Sequence, residues 1–93
     1  IELMRQPQIL GRQKTIFTGS RRGYGYGLGV RTLVDNMSSP SALGEFGWDG
    51  AAGAFFLVDT ENNLAYFYAQ HMLNSRSEII EQQLRNVVYS CLK

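Results

Sequence analysis

Residues 46–73 read FGWDGAAGAFFLVDTENNLAYFYAQHML. Two apolar runs, one ending Phe55-Phe-Leu-Val58 and one beginning Leu64-Ala-Tyr-Phe-Tyr68, flank Asp59-Thr-Glu-Asn-Asn63, a dense group of turn formers. That order predicts an antiparallel hairpin. Its first strand is expected to run from about Gly50 to Val58 and its second over residues 64–73. Both strands carry apolar residues on both faces, Phe55 and Leu57 against Phe56 and Val58 in the first. Such strands sit inside a sheet covered on two sides. The head of the first strand, Gly50-Ala-Ala-Gly53, needs a separate explanation, because glycine weakens a strand interior and gives it nothing to pack with.

Outward from the hairpin, residues 23–35, GYGYGLGVRTLVD, alternate glycine with larger side chains up to Val30. Alternation is the β period, so Tyr24, Tyr26, Leu28 and Val30 share one face and Gly23, Gly25, Gly27 and Gly29 the other. The glycine face is flat, and backbone or side chain can lie directly against it. Residues 36–44, NMSSPSALG, are a loop by composition. Residues 1–6 predict a short helix that stops before Pro7. Residues 7–22 read as polar loop with a short strand around Thr15 to Thr18. At the other end, Ser75 and Glu78 fit a capping box. Ile80, Leu84, Val87, Val88 and Cys91 then recur at helical spacing and form one apolar stripe.

These elements predict an α+β chain: an antiparallel β-sheet with a C-terminal helix packed on one face. Residues 1–6 supply too little helix to cover the other face, and a hydrophobic sheet face requires a partner layer. Ile1 and IELMR read like the middle of a helical turn, which adds to the expectation that residues 1–93 are one segment of a longer protein.

Composition narrows the function classes. The 93 residues suffice for one small domain, and nine basic residues against eight acidic ones leave a net charge of +1. Arg21-Arg22 is the only basic doublet, so no nucleic-acid surface is expected. The longest apolar run falls far short of the ~20 residues that span a bilayer, and no membrane partner is expected. One Cys and one His exclude an internal disulfide and argue against a metal cluster. No cofactor is expected either. GYGYGLG alternates like a strand, whereas phosphate binding needs a turn that opens a helix. Tyr24 and Tyr26 fit sheet packing better than ligand stacking. His71 lacks a paired acid or nucleophile and reads as structural.

The order of these pieces resembles the C-terminal portion of the serine β-lactamase and penicillin-binding-protein superfamily, closest to its class C β-lactamase, esterase and D-aminopeptidase-like branch. The resemblance rests on GYGYGLGV, FGWDGAAGAFFLVDTENN and the strand ending FYAQHML, and it covers essentially the whole chain. It implies a sheet belonging to a larger β-lactamase/transpeptidase-like fold. Members use three motifs: S-x-x-K, Y-x-N or S-x-N, and K-T-G or a relative such as W-x-G. Only the third is matched, as Trp48-Asp49-Gly50. A literal S-x-x-K occurs at Ser90-Cys-Leu-Lys93. The chemistry, however, needs the serine at a helix N-terminus, and Ser90 lies at the opposite end of its helix. The two remaining motifs are expected upstream of Ile1, so the isolated chain is expected to be inactive.

By the resemblance, the Ala51 amide, following the third-motif glycine, is one of two oxyanion donors. Trp48, Asp49, Gly50 and Ala52 line the substrate. Small residues there would let a reacting carbonyl approach the backbone. A purely structural reading of the same residues is that they let a helix pack close. Trp48 replaces the family's lysine, which favours an ester, amide or peptide substrate over a classical β-lactam. The expected partners are the missing N-terminal portion and a small ester, amide or β-lactam substrate. A second reading makes the chain a non-catalytic module that binds protein through an exposed apolar sheet face. Self-association over that face stands between the two.

Overall fold

The computed structural model describes residues 1–9 and 23–92. Five strands run β1 (Tyr24–Tyr26), β2 (Arg31–Leu33), β3 (Phe46–Asp49), β4 (Phe55–Asp59) and β5 (Leu64–Tyr68). They form one sheet in the order β1-β2-β3-β4-β5, with every neighbour antiparallel. Helix α1 (Glu2–Arg5) precedes the sheet and α2 (Ser77–Ser90) follows it. The chain is therefore α+β, an antiparallel sheet with its C-terminal helix on one face. The expected strand at Thr15 to Thr18 lies outside the described residues.

The hairpin predicted around Asp59–Asn63 forms as β4 and β5, paired from Phe55 opposite Tyr68 to Asp59 opposite Leu64, with different boundaries. β3 and β4 pair from Phe46 opposite Val58 to Asp49 opposite Phe55. Gly50–Gly53 is the turn between them and not the head of a strand. The Gly50 N–H donates to the Ala54 carbonyl at 2.6 Å, and the Gly53 N–H donates to the Gly50 carbonyl at 3.0 Å. Gly53 has φ +98°, and a Cβ there would meet the Gln70 side chain, so two constraints demand glycine. β5 ends at Tyr68, earlier than its apolar run suggests. The following segment instead tethers to the turn, where the Met72 N–H donates to the Ala52 carbonyl at 2.9 Å.

Residues 23–35 fold as a second hairpin and not as one strand. The Gly27 N–H donates to the Val30 carbonyl at 2.8 Å, and Gly29 at φ +85° completes the reversal, leaving Leu28 exposed. The flat glycine face is used nonetheless. Pro7 lies against Gly25, and a Cβ on Gly27 would run into the Met4 carbonyl. The N-terminal segment is pinned there by main-chain bonds, from Gln8 N–H to the Tyr26 carbonyl (2.7 Å) and from Leu28 N–H to the Met4 carbonyl (2.8 Å). The Thr32 hydroxyl also donates to the Arg5 carbonyl at 2.5 Å.

The other face is the helix side. Register places Phe55 and Leu57 there with Tyr66, Tyr68 and Gly47. Leu33, Phe55 and Leu57 form the buried apolar floor. Helix α2 docks above it through only part of the predicted stripe, with Ile80, Leu84 and Val88 half-buried. Val87 and Cys91 are exposed, whereas Arg85 is buried and Glu81 half-buried. The helix also begins at Ser77 without a side-chain cap, so the capping box at Ser75 does not form. The Ser75 hydroxyl lies instead against Gly53.

Candidate functional site

Trp48 and Asp49 divide between the two faces of the sheet because they occupy consecutive strand positions. Trp48 pairs with Phe56 on the outer face, and its ring centroid lies 5.6 Å from that of Tyr26 at 56°. Asp49 points to the helix side, where its carboxylate meets the Arg31 guanidinium at 3.2 Å. Gly50 and Ala51 then leave the sheet and are exposed, while Ala52 is half-buried and tied to Met72.

The Ala51 amide has no hydrogen-bond acceptor among the described residues. A close-packing requirement does not account for the small residues around it. A Cβ on Gly50 would meet only the Ala54 carbonyl, at 3.4 Å, an ordinary contact. Gly53 is demanded by the fold and Gly50 is not. Small size at positions 50 and 51 therefore keeps main chain accessible without serving the core.

Asp49, Gly50 and Ala51 form one wall of a cleft of about 770 Å³ whose opposite wall is α2, with Glu81 and Arg85. Its floor is a buried network of charges. Arg31 reaches Glu45 at 3.3 Å and Glu81 at 3.2 Å, besides Asp49. Arg85 reaches Glu81 at 2.9 Å and lies 3.7 Å from Glu45. The Tyr24 hydroxyl donates to Glu45 at 2.7 Å, and both guanidinium groups lie over the Tyr24 ring, at 5.0 and 5.8 Å from its centre. Gly47 lies beneath the Arg31 guanidinium; a Cβ there would run into the Phe56 carbonyl and would also lie 2.9 Å from Arg31 Nη1.

At the two glutamates and Tyr24 of this network desolvation sets the direction, whereas at Arg31 and Arg85 the carboxylate charges outweigh it. Burial raises the Glu45 carboxyl above its ordinary range against the opposing pull of Arg31 and Arg85. Burial and then the nearby Asp49 charge raise Glu81 likewise. Burial and the Glu45 charge push the Tyr24 phenol far up, so it serves as a hydrogen-bond donor and not as a base. A second polar cluster anchors the far end of the helix. Asp59 accepts from the Ala42 and Asn62 main-chain N–H groups at 3.1 Å each, from Asn62 Nδ2 at 2.8 Å and from the Tyr89 hydroxyl at 2.5 Å. Burial would raise that carboxyl, but these donors outweigh it and hold it below its usual value.

Arg31, Glu45, Glu81 and Arg85 were not among the residues that sequence singled out. Two signals were available. Arg31 interrupts an apolar strand, and Glu81 and Arg85 stand one helical turn apart. His71 is exposed, and Ser90 ends its helix with its hydroxyl donating to the Val87 carbonyl at 2.6 Å. Among the described residues no group of His, Cys, Asp and Glu is arranged to hold a metal ion, and no helix is long and apolar enough to cross a membrane. No protein-family model matches the chain, and no curated protein matches it.

Proposed function

We propose that the chain is the C-terminal segment of a serine hydrolase of the β-lactamase-like group, acting on a small ester, amide or peptide. The observation that carries this reading is the unbonded Ala51 amide, which follows Trp48-Asp49-Gly50 on a turn whose small residues the core does not require. Acyl transfer builds negative charge on a carbonyl oxygen, and an accessible, preorganised main-chain N–H stabilises it. A second donor and the nucleophile come from a separate N-terminal portion of the same hydrolase. The Trp48 ring, packed beside that of Tyr26, offers an apolar wall next to the turn. The helix-side cleft is less suited to an acyl group, because its floor is already committed to ion pairs.

The test begins with the intact mass of the native protein, looking for a polypeptide that carries S-x-x-K. Alone, residues 1–93 give no acyl-enzyme burst with an activated ester. Joined to that polypeptide they turn the ester over, and Ala51→Pro, which deletes the N–H, lowers kcat by roughly 10²-fold or more. A burst from the isolated chain, or full activity in the proline variant, refutes the reading. One observation favours the alternative of a non-catalytic binding module: Phe67, on the outer sheet face, is 68% exposed.

A further inference from the structure

The two edges of the sheet are finished differently. β1 has three residues, and residues 4–8 bond to the hairpin it opens, at Tyr26 and Leu28. β5 has five residues, and among the described residues nothing pairs with its outer side. Natural edges are blunted by charge, proline, a bulge or a covering segment. Leu64–Tyr68 has no charge and no proline, and it presents Phe67 and Ala65 to solvent. Such an edge is a template for main-chain pairing.

Its sequence also fits one occupant. We propose that β5 pairs antiparallel with β5 of a second copy of this chain, about a two-fold axis at Tyr66. This inference does not rest on the hydrolase reading. The axis sets Ala65 opposite Phe67 of the second copy, and Phe67 opposite its Ala65, so each large side chain on the outer face lies beside a small one. On the helix side, Leu64 meets Tyr68 of the second copy. The polar ends agree with the same symmetry: the register sets exposed Glu61 opposite exposed His71 of the second copy, whereas a parallel pair would set Glu61 beside Glu61. The interface is isologous and closes on itself, which predicts a dimer and not a filament.

Sedimentation velocity of the chain across a concentration series tests this. The wild type is expected to convert from monomer to dimer. Ala65→Glu and Phe67→Lys, each on the exposed face, are each expected to weaken association by on the order of tenfold or more, since each opposes a charge to an apolar side chain. The combination Ala65→Glu/Phe67→Lys is expected to restore the dimer, because each new acid then faces a new base across the axis. Circular dichroism checks that the variants fold. Amide hydrogen exchange of the wild type gives a readout that needs no variant, with Ala65 and Phe67 becoming protected as concentration rises. A wild type that stays monomeric, single variants that leave the dimer intact, or a double variant that remains monomeric each overturns the proposal.

Discussion

Two polar clusters tie α2 to the same sheet, and they treat their carboxylates in opposite ways. Near the C-terminal end of the helix, Asp59 is surrounded by neutral donors aimed at it from Ala42, Asn62 and Tyr89. Near the N-terminal end, Glu45 and Glu81 share two guanidinium groups with Asp49 and with each other. Hydrogen bonds outweigh burial at Asp59 and lower its pKa. Burial prevails at Glu45 and Glu81 and raises theirs, even beside arginine. Attraction between buried charges is offset by desolvation, and carboxylates that share cations also repel one another. Aligned neutral donors bring no such penalty. The first cluster is a fastening; the second is a balance.

The largest test of this difference removes a cation from the balance. Arg31→Met leaves buried Glu45 with the Tyr24 hydroxyl and, as its cation, only the more distant Arg85, and should cost about 3 to 5 kcal/mol in urea unfolding, as single removals from buried pairs do. A loss under 1 kcal/mol would show that the network tolerates an unpaired charge and that Arg31 is not its centre.

Asp59→Ala should rank second. It leaves the donors of Ala42, Asn62 and Tyr89 without their acceptor, at a cost of about 2 to 3 kcal/mol. Its pH dependence distinguishes the clusters more sharply than its size. The Asp59 carboxyl is depressed, so its contribution is complete above the ordinary carboxylate value and is lost as pH falls through the depressed one. Unfolding midpoints measured from neutral pH down to acid should therefore fall less steeply in Asp59→Ala than in the wild type.

The smallest expected effect is that of Glu81→Gln, within about 1 kcal/mol at neutral pH, because Glu81 is only half-buried and the Gln carbonyl oxygen can still accept from Arg31 and Arg85. Here the sign reverses. A raised carboxyl contributes fully below its ordinary value, and that contribution is lost as pH rises through the raised one. The stability difference, wild type minus Glu81→Gln, should thus decline as pH rises through the mildly acidic range. Parallel profiles for the two proteins would mean that Glu81 is solvated and belongs to no balance.

Much of the architecture was legible because its signals are local. The turn formers from Asp59 to Asn63 and the apolar runs beside them specify a hairpin whatever surrounds it. The small residues from Gly50 to Gly53 were legible as an anomaly, but their place in the fold was misjudged. A run of Gly and Ala before four apolar residues looks like a strand head, and only its pairing with Ala54 makes it a turn. The alternation in residues 23–30 misled for a related reason. Glycine at every second position suits a strand, and it equally supplies the positive φ that reverses one.

Sequence by itself determined the class of fold, the hairpin around Asp59–Asn63 and the C-terminal helix, because each depends on residues adjacent in the chain or spaced by one period. Tertiary structure alone decided which face of that helix turns inward. The apolar stripe predicted Ile80, Leu84, Val87, Val88 and Cys91 at the interface; Val87 and Cys91 are exposed instead, while Arg85 is buried and Glu81 and Tyr89 reach the sheet. Their partners lie at Arg31 and Asp59, far away in sequence, and the Arg31 guanidinium lies over Gly47 on the next strand. Periodicity reports how apolar a helix face is. It cannot report that a charged face has found its counter-charges across the sheet.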